Sequence, residues 1–237
     1  MPLTSPAVEA TGVGKRYGKA VALRDFTLSI APGEVFGLLG PNGSGKTTFL
    51  RTLCGFLAPT EGRIRVHGHD VVQDSMAARR AIGYAPESAP LYRHMRVGEF
   101  LRFVARLRGV PANELTTAVE RVAEMLSIAD RLRSPVPTLS RGYRQRVGIA
   151  QALIHSPRVV VLDEPTNGLD PRQIIETREL IRRIAGSHTV LLSSHILPEV
   201  QKVADRVAVL LGGELKGIRA NRIDTTADLE DWYLSLA

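Results

Sequence analysis

The sequence predicts an α/β fold, a mostly parallel sheet interrupted by a helical insertion. Three observations carry this. Four short apolar runs, Val35–Leu39, Val159–Leu162, Thr189–Leu192 and Val207–Leu211, are continuous rather than alternating. Runs of that kind read as strands buried on both faces, as in a parallel sheet. Helical patterns lie between some of them, the signature of an α/β arrangement. The stretch from about 88 to 157 instead carries helical periodicity broken by prolines.

In chain order, Val35–Leu39 is followed by a glycine-rich turn and a helix pattern over Thr48–Leu57. Within the insertion, Val97, Phe100, Leu101, Val104 and Leu107 recur at helical spacing, as do Val119, Val122, Ala123 and Leu126. Pro111, Pro135, Pro137 and Pro157 punctuate it. A further helix pattern, Val147–Ile154, ends at Pro157. After the last apolar run, Gly212-Gly213 marks a turn and Leu215–Arg219 is expected to return as an edge strand. Leu229, Trp232, Tyr233 and Leu236 fall on one face of a terminal helix that is expected to dock on the domain. The expected organisation is one domain over 1–237, with a catalytic core of 1–87 and 158–237 and a helical subdomain of about 88–157.

Composition narrows the class. The chain has 237 residues, 44% hydrophobic and 23% charged, which is globular usage. Such a length hides roughly 70–75% of its unfolded surface. Cys54 is the only cysteine, which excludes an internally disulfide-stapled fold. No apolar run approaches the roughly 20 residues of a membrane-spanning helix. The N-terminal stretch has no apolar core of signal-peptide length, so a reducing, aqueous compartment is expected. The net charge of +7 suits an anionic partner or a solvated basic surface, with the densest cluster at Arg141, Arg144 and Arg146.

Three segments carry chemistry. Gly40-Pro41-Asn42-Gly43-Ser44-Gly45-Lys46-Thr47-Thr48 matches G-x-x-x-x-G-K-[ST] between a buried strand and a helix. Glycines let backbone N–H groups curl around phosphates, and the helix start adds a favourable dipole. Lys46 would meet the β/γ-phosphates and the Thr47 hydroxyl would ligate Mg²⁺. Val159–Leu162 delivers Asp163 and Glu164 to a strand end, where α/β sheets bind ligands. Asp163 would hold Mg²⁺ through its water shell, and Glu164 would polarise an attacking water. Leu139 to Arg146 opens a helix, with Ser140 near the N-cap and Gly142 permitting close approach, a second anion-binding helix start. One nucleotide cannot easily sit on two such sites of one chain, so a second chain is implied. His67-Gly68-His69 lacks further ligands at metal spacing.

From about Val8 to Val209 these residues resemble the ATP-binding subunits of ABC transporters, with the family's motifs in order. Gly40–Thr47 resembles Walker A, Val159–Glu164 Walker B and Leu139–Gln145 the signature motif. Gly168-Leu169-Asp170 resembles the D-loop, and His195 the switch histidine. Tyr17 falls where the family stacks an aromatic ring on adenine; from sequence alone an ordinary packed aromatic is the better reading. Two departures stand out. Glu87 ends Ile82-Gly83-Tyr84-Ala85-Pro86-Glu87 where Gln is usual, and Arg141 and Tyr143 replace the usual Gly and Gln. Both are similar to the ATPases of type-2 exporters of the multidrug or gliding-motility kind.

The resemblance implies a P-loop NTPase sheet of the RecA-like, ABC ATPase type, using ATP and Mg²⁺. It implies a head-to-tail dimer, with a second copy of the chain the expected partner. Lys46, Thr47, Asp163, Glu87, Glu164 and His195 would come from one chain, Ser140, Arg141, Gly142 and Tyr143 from the other, and Asp170 would speak across the dimer. It also implies a polytopic membrane subunit that holds the chain on the cytoplasmic face of the membrane, touched through Leu91, Tyr92 and Phe100. No direct cargo contact and no nucleic acid are expected. Alternatives are a soluble ABC-type ATPase acting on ribosomes or DNA, an importer ATPase, and a P-loop kinase or GTPase.

Overall fold

The structure, a computed structural model, describes residues 5–221 and 226–236. Its six-stranded sheet has the order β10-β9-β3-β8-β7-β6. These are β3 (Val35–Leu39), β6 (Ile82–Ala85), β7 (Val159–Leu162), β8 (Thr189–Ser194), β9 (Arg206–Leu211) and β10 (Glu214–Ala220). All neighbours pair in parallel except β10, which returns antiparallel at the edge. The four apolar runs are therefore central strands, and the edge strand forms where the glycine turn places it.

Period-two alternation divides the core. Val160, Leu162, Val190, Leu192, Val207 and Val209 face one layer. Val159, Val161, Leu191, Ala208 and Leu210 face the other. On the first face lie α3 (Val97–Leu107), α4 (Leu115–Met125), α5 (Arg141–Leu153) and α6 (Pro171–Ala185). The terminal helix α8 (Thr226–Leu236) joins them, with Leu229 buried and Trp232, Tyr233 and Leu236 packed on the same core. Trp232 lies over Gly217 of β10, where a Cβ would stand 3.0 Å from the ring.

The second face is covered by α1 (Lys46–Leu53) and by an antiparallel sheet, β2-β1-β4-β5. Its strands are β1 (Val8–Tyr17), β2 (Ala20–Ile30), β4 (Glu61–Val66) and β5 (His69–Asp70). Phe26 of β2 and Phe49 of α1 meet with ring centroids 4.2 Å apart. The sequence reading did not find this sheet. The β1–β2 register slips three times, Gly12 has φ +57° and Asp25 φ +42°, so the buried set Leu23, Phe26, Leu28, Ile30 loses strict alternation.

Two helix limits are corrected. α1 spans Lys46–Leu53 rather than Thr48–Leu57, because Gly55 turns at φ +72° and Phe56 N–H caps Arg51 O. α5 begins at Arg141 rather than Val147, with Ser140 as N-cap accepting from Tyr143 N–H at 3.3 Å. Leu107, at core spacing in the sequence, is 70% exposed at the end of α3. The short helices α2 (Ser75–Ala81) and α7 (Leu197–Gln201) complete the α-helices among the described residues.

His155 closes α5 with Nε2 3.1 Å from Ile82 O. Burial, helped by the Arg108 charge, lowers its pKa from 6.5 to about 4. Below 6.5 the unfolded chain takes up a proton that the folded chain refuses until about 4. Stability is therefore lost as pH falls through that window, by on the order of 3 kcal/mol. Urea unfolding at pH 7 and pH 4.5 should show His155→Gln losing less stability on acidification than the parent; equal losses would exclude this origin.

Candidate functional site

Parallel register brings the chemistry to one edge. Leu39 pairs with Ser194, Leu162 with Leu192 and Ala85 with Leu162. The segments that follow, Gly40–Thr48, Asp163–Glu164, His195 and Pro86–Glu87, thus leave the sheet on the same side, at the carboxyl ends of the strands.

The glycine loop is shaped for an anion. Gly43 and Gly45 hold φ +80° and +109°, conformations that favour glycine. A Cβ at Gly40 would stand 2.3 Å from Leu210 O, and one at Gly45 2.6 Å from Ala22 O. Pro41 O accepts from Ser44 N–H, and Asn42 is exposed at the tip. α1 starts without a side-chain cap or an acidic residue in its first turn. Its first N–H groups, with those of Lys46, Thr47 and Thr48, are thus free of side-chain acceptors, and Ser44 Oγ is buried without a partner. Lys46, buried, donates to Gly40 O at 2.7 Å and Pro41 O at 3.2 Å, and pairs with Glu164 Oε1 at 3.2 Å.

Glu164 is the hinge of the site. Its backbone sits at φ +48°, a strain of about 1–3 kcal/mol for a residue with a Cβ. One carboxylate oxygen meets Lys46, and the other lies 2.9 Å from His195 Nδ1. Asp163 is buried beside it. Thr47 Oγ1 donates to Asp163 Oδ1 at 3.4 Å, Ser193 Oγ donates to the same oxygen at 2.7 Å, and Tyr84 OH reaches Oδ2 at 3.3 Å. Ser193 Oγ also accepts the Glu164 N–H at 3.0 Å. Burial, reinforced by the Asp163 charge, pushes the Tyr84 hydroxyl pKa well up and keeps it a donor. Thr47 and Asp163 together offer hard oxygen donors of the kind Mg²⁺ takes.

The structure unites Gly40–Thr48, Asp163, Glu164 and His195, and leaves others apart. Glu87 bonds neither Thr47 nor Asp163; its Oε1 accepts from Asn167 Nδ2 at 2.6 Å. Tyr17 ends β1 with its ring 48% exposed and Lys15 Nζ 5.4 Å from its centroid. Ser140 and Gly142 line a separate cavity of about 420 Å³ with Gln173 and Glu176 of α6. The Arg131 and Arg146 guanidiniums approach the Tyr143 ring at 5.0 and 5.8 Å from its centroid. Arg141 reaches Asn167 O, and Asp170 caps α6 by accepting from Gln173 N–H at 2.9 Å.

The surface residues need one correction. Leu91 is half-buried against the core and Tyr92 is 44% exposed, but Phe100 is only 1% exposed, on the core face of α3 with Tyr92 edge-on above it. Phe100 therefore cannot present a contact surface. Three exposed apolar side chains, Phe56, Met76 and Leu107, line a cavity of about 610 Å³ together with Arg79, Arg80 and Arg108. The sequence reading missed this surface, and also Tyr84, Ser193 and Asn167. Tyr84 and Ser193 sit on strands flanking Asp163, a neighbourhood that only the sheet order reveals.

A glycine loop opening a helix, with an Asp-Glu pair and a histidine at parallel strand ends, defines a P-loop nucleotide hydrolase. The chain belongs to the ABC transporter family, whose sequence pattern matches residues 23–167. It is 39% identical over 214 residues to the daunorubicin resistance ATP-binding protein of Streptomyces coeruleorubidus, covering 90% of this chain and 68% of the relative. It is 37% identical over 215 residues to the Nod factor export ATP-binding protein I of Bradyrhizobium diazoefficiens, covering 90% and 70%. A solved structure described as the ATP-binding subunit of an ABC transporter aligns with a TM-score of 0.85 at 28% identity, over 97% of this chain and 99% of that one. The chain is an ATP-binding subunit of this family, an ATPase coupled to transport.

Ser193→Ala strips the hydroxyl that joins Asp163 to the buried Glu164 N–H. Leaving that group unpaired should cost about 1–3 kcal/mol in urea unfolding and lower ATP turnover roughly tenfold. Unchanged turnover would remove Ser193 from the site.

Proposed function

We propose that this chain powers an exporter, forming an ATP-sandwich dimer that drives a separate polytopic membrane subunit. The observation that carries the reading is the Lys46–Glu164–His195 cluster at the strand ends beside an uncapped helix start. Gly40 to Thr48 cradle the phosphates of ATP, and Tyr17 receives the adenine. Lys46, held between two loop carbonyls and Glu164, exchanges the carboxylate for the terminal phosphates when they arrive. Glu164, released from Lys46 and steadied by His195, polarises the attacking water. Thr47, Asp163 and Glu87 would hold Mg²⁺, which would supply charge neutralisation at the phosphates. Such transfer needs mainly positioning and charge compensation.

Ser140, Arg141, Gly142 and Tyr143 serve the partner's ATP. Support comes from the cavity that Ser140, Gly142 and Tyr143 line apart from the phosphate loop, at a helix N-terminus capped by the Ser140 side chain. Asp170 caps α6, whose Gln173 and Glu176 line the same cavity. The partner is a second copy of the chain. The division into a core of 1–87 and 158–237 and a helical subdomain of about 88–157 follows the three helices between β6 and β7. Export is favoured by relatives named for drug resistance and Nod factor export.

The membrane subunit docks on the cytoplasmic face of the membrane at the cavity lined by Phe56, Met76 and Leu107, and Leu91 and Tyr92 contribute to the contact. Among the described residues no helix is long and apolar enough to cross a membrane. The apolar side chains and arginines that line it together fit an amphipathic segment bearing carboxylates.

Glu164→Gln should lower turnover by roughly 10²–10⁴-fold and yield dimers with Mg-ATP. Wild-type-like turnover, or persistent monomers by light scattering, would reject the composite site. Phe56→Asp should abolish recovery of a polytopic protein with the tagged chain from solubilised membranes; undiminished recovery would place the dock elsewhere.

A further inference from the structure

His67-Gly68-His69 takes no part in the nucleotide site. His67 and Gly68 make the turn between β4 and β5, where Val66 pairs with His69. Gly68 holds φ +83° and His67 φ +47°, so a residue with a Cβ stands where asparagine or glycine is at ease. The His67 Nε2 is buried without a hydrogen-bond partner. A left-handed backbone and an unpaired buried nitrogen are both costs, and costs of this kind cluster at binding sites.

His67 lines a cavity of about 340 Å³ together with His69, Arg80 of α2, Ser156 and Arg158. Ser156 is left-handed as well, at φ +51°. Two of the five described non-glycine residues with positive φ therefore meet at this one cavity. No carboxylate is among its lining residues. Asp74 is engaged with His69 Nδ1 at 2.6 Å. Among the described residues, neither the Arg80 nor the Arg158 side chain has a hydrogen bond or an ion pair. Burial, and then the charges of Arg158 and His69, lower the His67 pKa. No three His, Cys, Asp or Glu side chains converge among the described residues to hold a metal ion, so the histidines are not a metal site. Arg158 stands before β7 and Asp163 after it, about 16 Å along the strand, so the cavity is separate from the nucleotide site.

We propose that this cavity binds a phosphoryl group, with the Arg80 and Arg158 guanidiniums on its oxygens and His67 Nε2 and the Ser156 hydroxyl completing its hydrogen bonds. The guanidinium fork matches phosphate oxygens. A cleft lined by one sign of charge, with Ala77 and Ala81 as apolar wall, focuses its field on such an anion. The volume exceeds a bare phosphate ion and admits a small esterified group. Arg80 also lines the 610 Å³ cavity, so a lipid headgroup at the docked face is one source of this chemistry and inorganic phosphate the other.

The test follows the His67 ring by NMR in the full chain saturated with Mg-ADP, so that the phosphate loop is filled. His67→Asn, which suits the left-handed turn, assigns the signals. Inorganic phosphate should shift the His67 ring nitrogens to saturation and raise the His67 pKa, because the anion offsets Arg80, Arg158 and His69. Arg80→Ser/Arg158→Ser should weaken this binding at least about tenfold. Arg63→Ser/Arg133→Ser, which removes the same charge from exposed positions elsewhere, should leave it unchanged. A second arm floats the same three chains with phosphatidylcholine vesicles, with and without phosphatidic acid. Flotation lost only in Arg80→Ser/Arg158→Ser assigns the site to a lipid headgroup. Equal flotation of all three chains, with the phosphate response intact, assigns it to free phosphate. A His67 response undiminished in Arg80→Ser/Arg158→Ser overturns the site, and so does no response to phosphate together with equal flotation.

Discussion

The common level of four parallel strand ends is the constraint on which the rest depends. Leu39, Ala85, Leu162 and Ser194 are far apart in sequence, and only their ladder register makes neighbours of the residues that follow them. Shifting one strand by a single residue would turn its buried side chains to the opposite layer. The two-layer core therefore fixes the site's geometry. Asp163 and Glu164 are held where Ser193, on the neighbouring strand, can bond both. The strained backbone at Glu164 persists because the surrounding ladder and the Ser193 bond over-determine it.

Much of this was legible in the sequence, for reasons that differ by element. Central strands are buried on both faces, so they are written as unbroken apolar runs. The phosphate loop is written in glycines, because only glycine fits its positive-φ turns and close approaches. The antiparallel sheet was not legible, since its bulges at Gly12 and Asp25 break the alternation that would announce it. Phe100 shows the limit of a helical pattern: its spacing marks a core face, and the core face is where it lies, not the docking surface. Tyr84 and Ser193 carry no motif of their own; sheet order alone puts them beside Asp163.

Charge is used unevenly in the molecule. Where it is buried it is paired or hydrogen-bonded, as in Lys46 with Glu164, Glu34 with Arg206, and Asp163 with the hydroxyls around it. The excess of +7 is largely on the surface, where it steers rather than stabilises. The arginines around the Phe56–Met76 cavity concentrate part of that excess beside apolar surface.

The anchoring of α5 has a mechanical consequence. Its far end is fixed: Gly83, without a Cβ, lies against the Ala152 carbonyl, and Arg121 donates to the Leu153 and Ile154 carbonyls. Its near end is held by the polar bonds of Arg141 and Arg146, with Tyr143 half-buried against the core. A helix of 13 residues pinned in this way is a lever about 20 Å long, with its fulcrum on β6. A tilt of about 3° carries its tip by about 1 Å, enough to make or miss a hydrogen bond, without uncovering the core at the fulcrum.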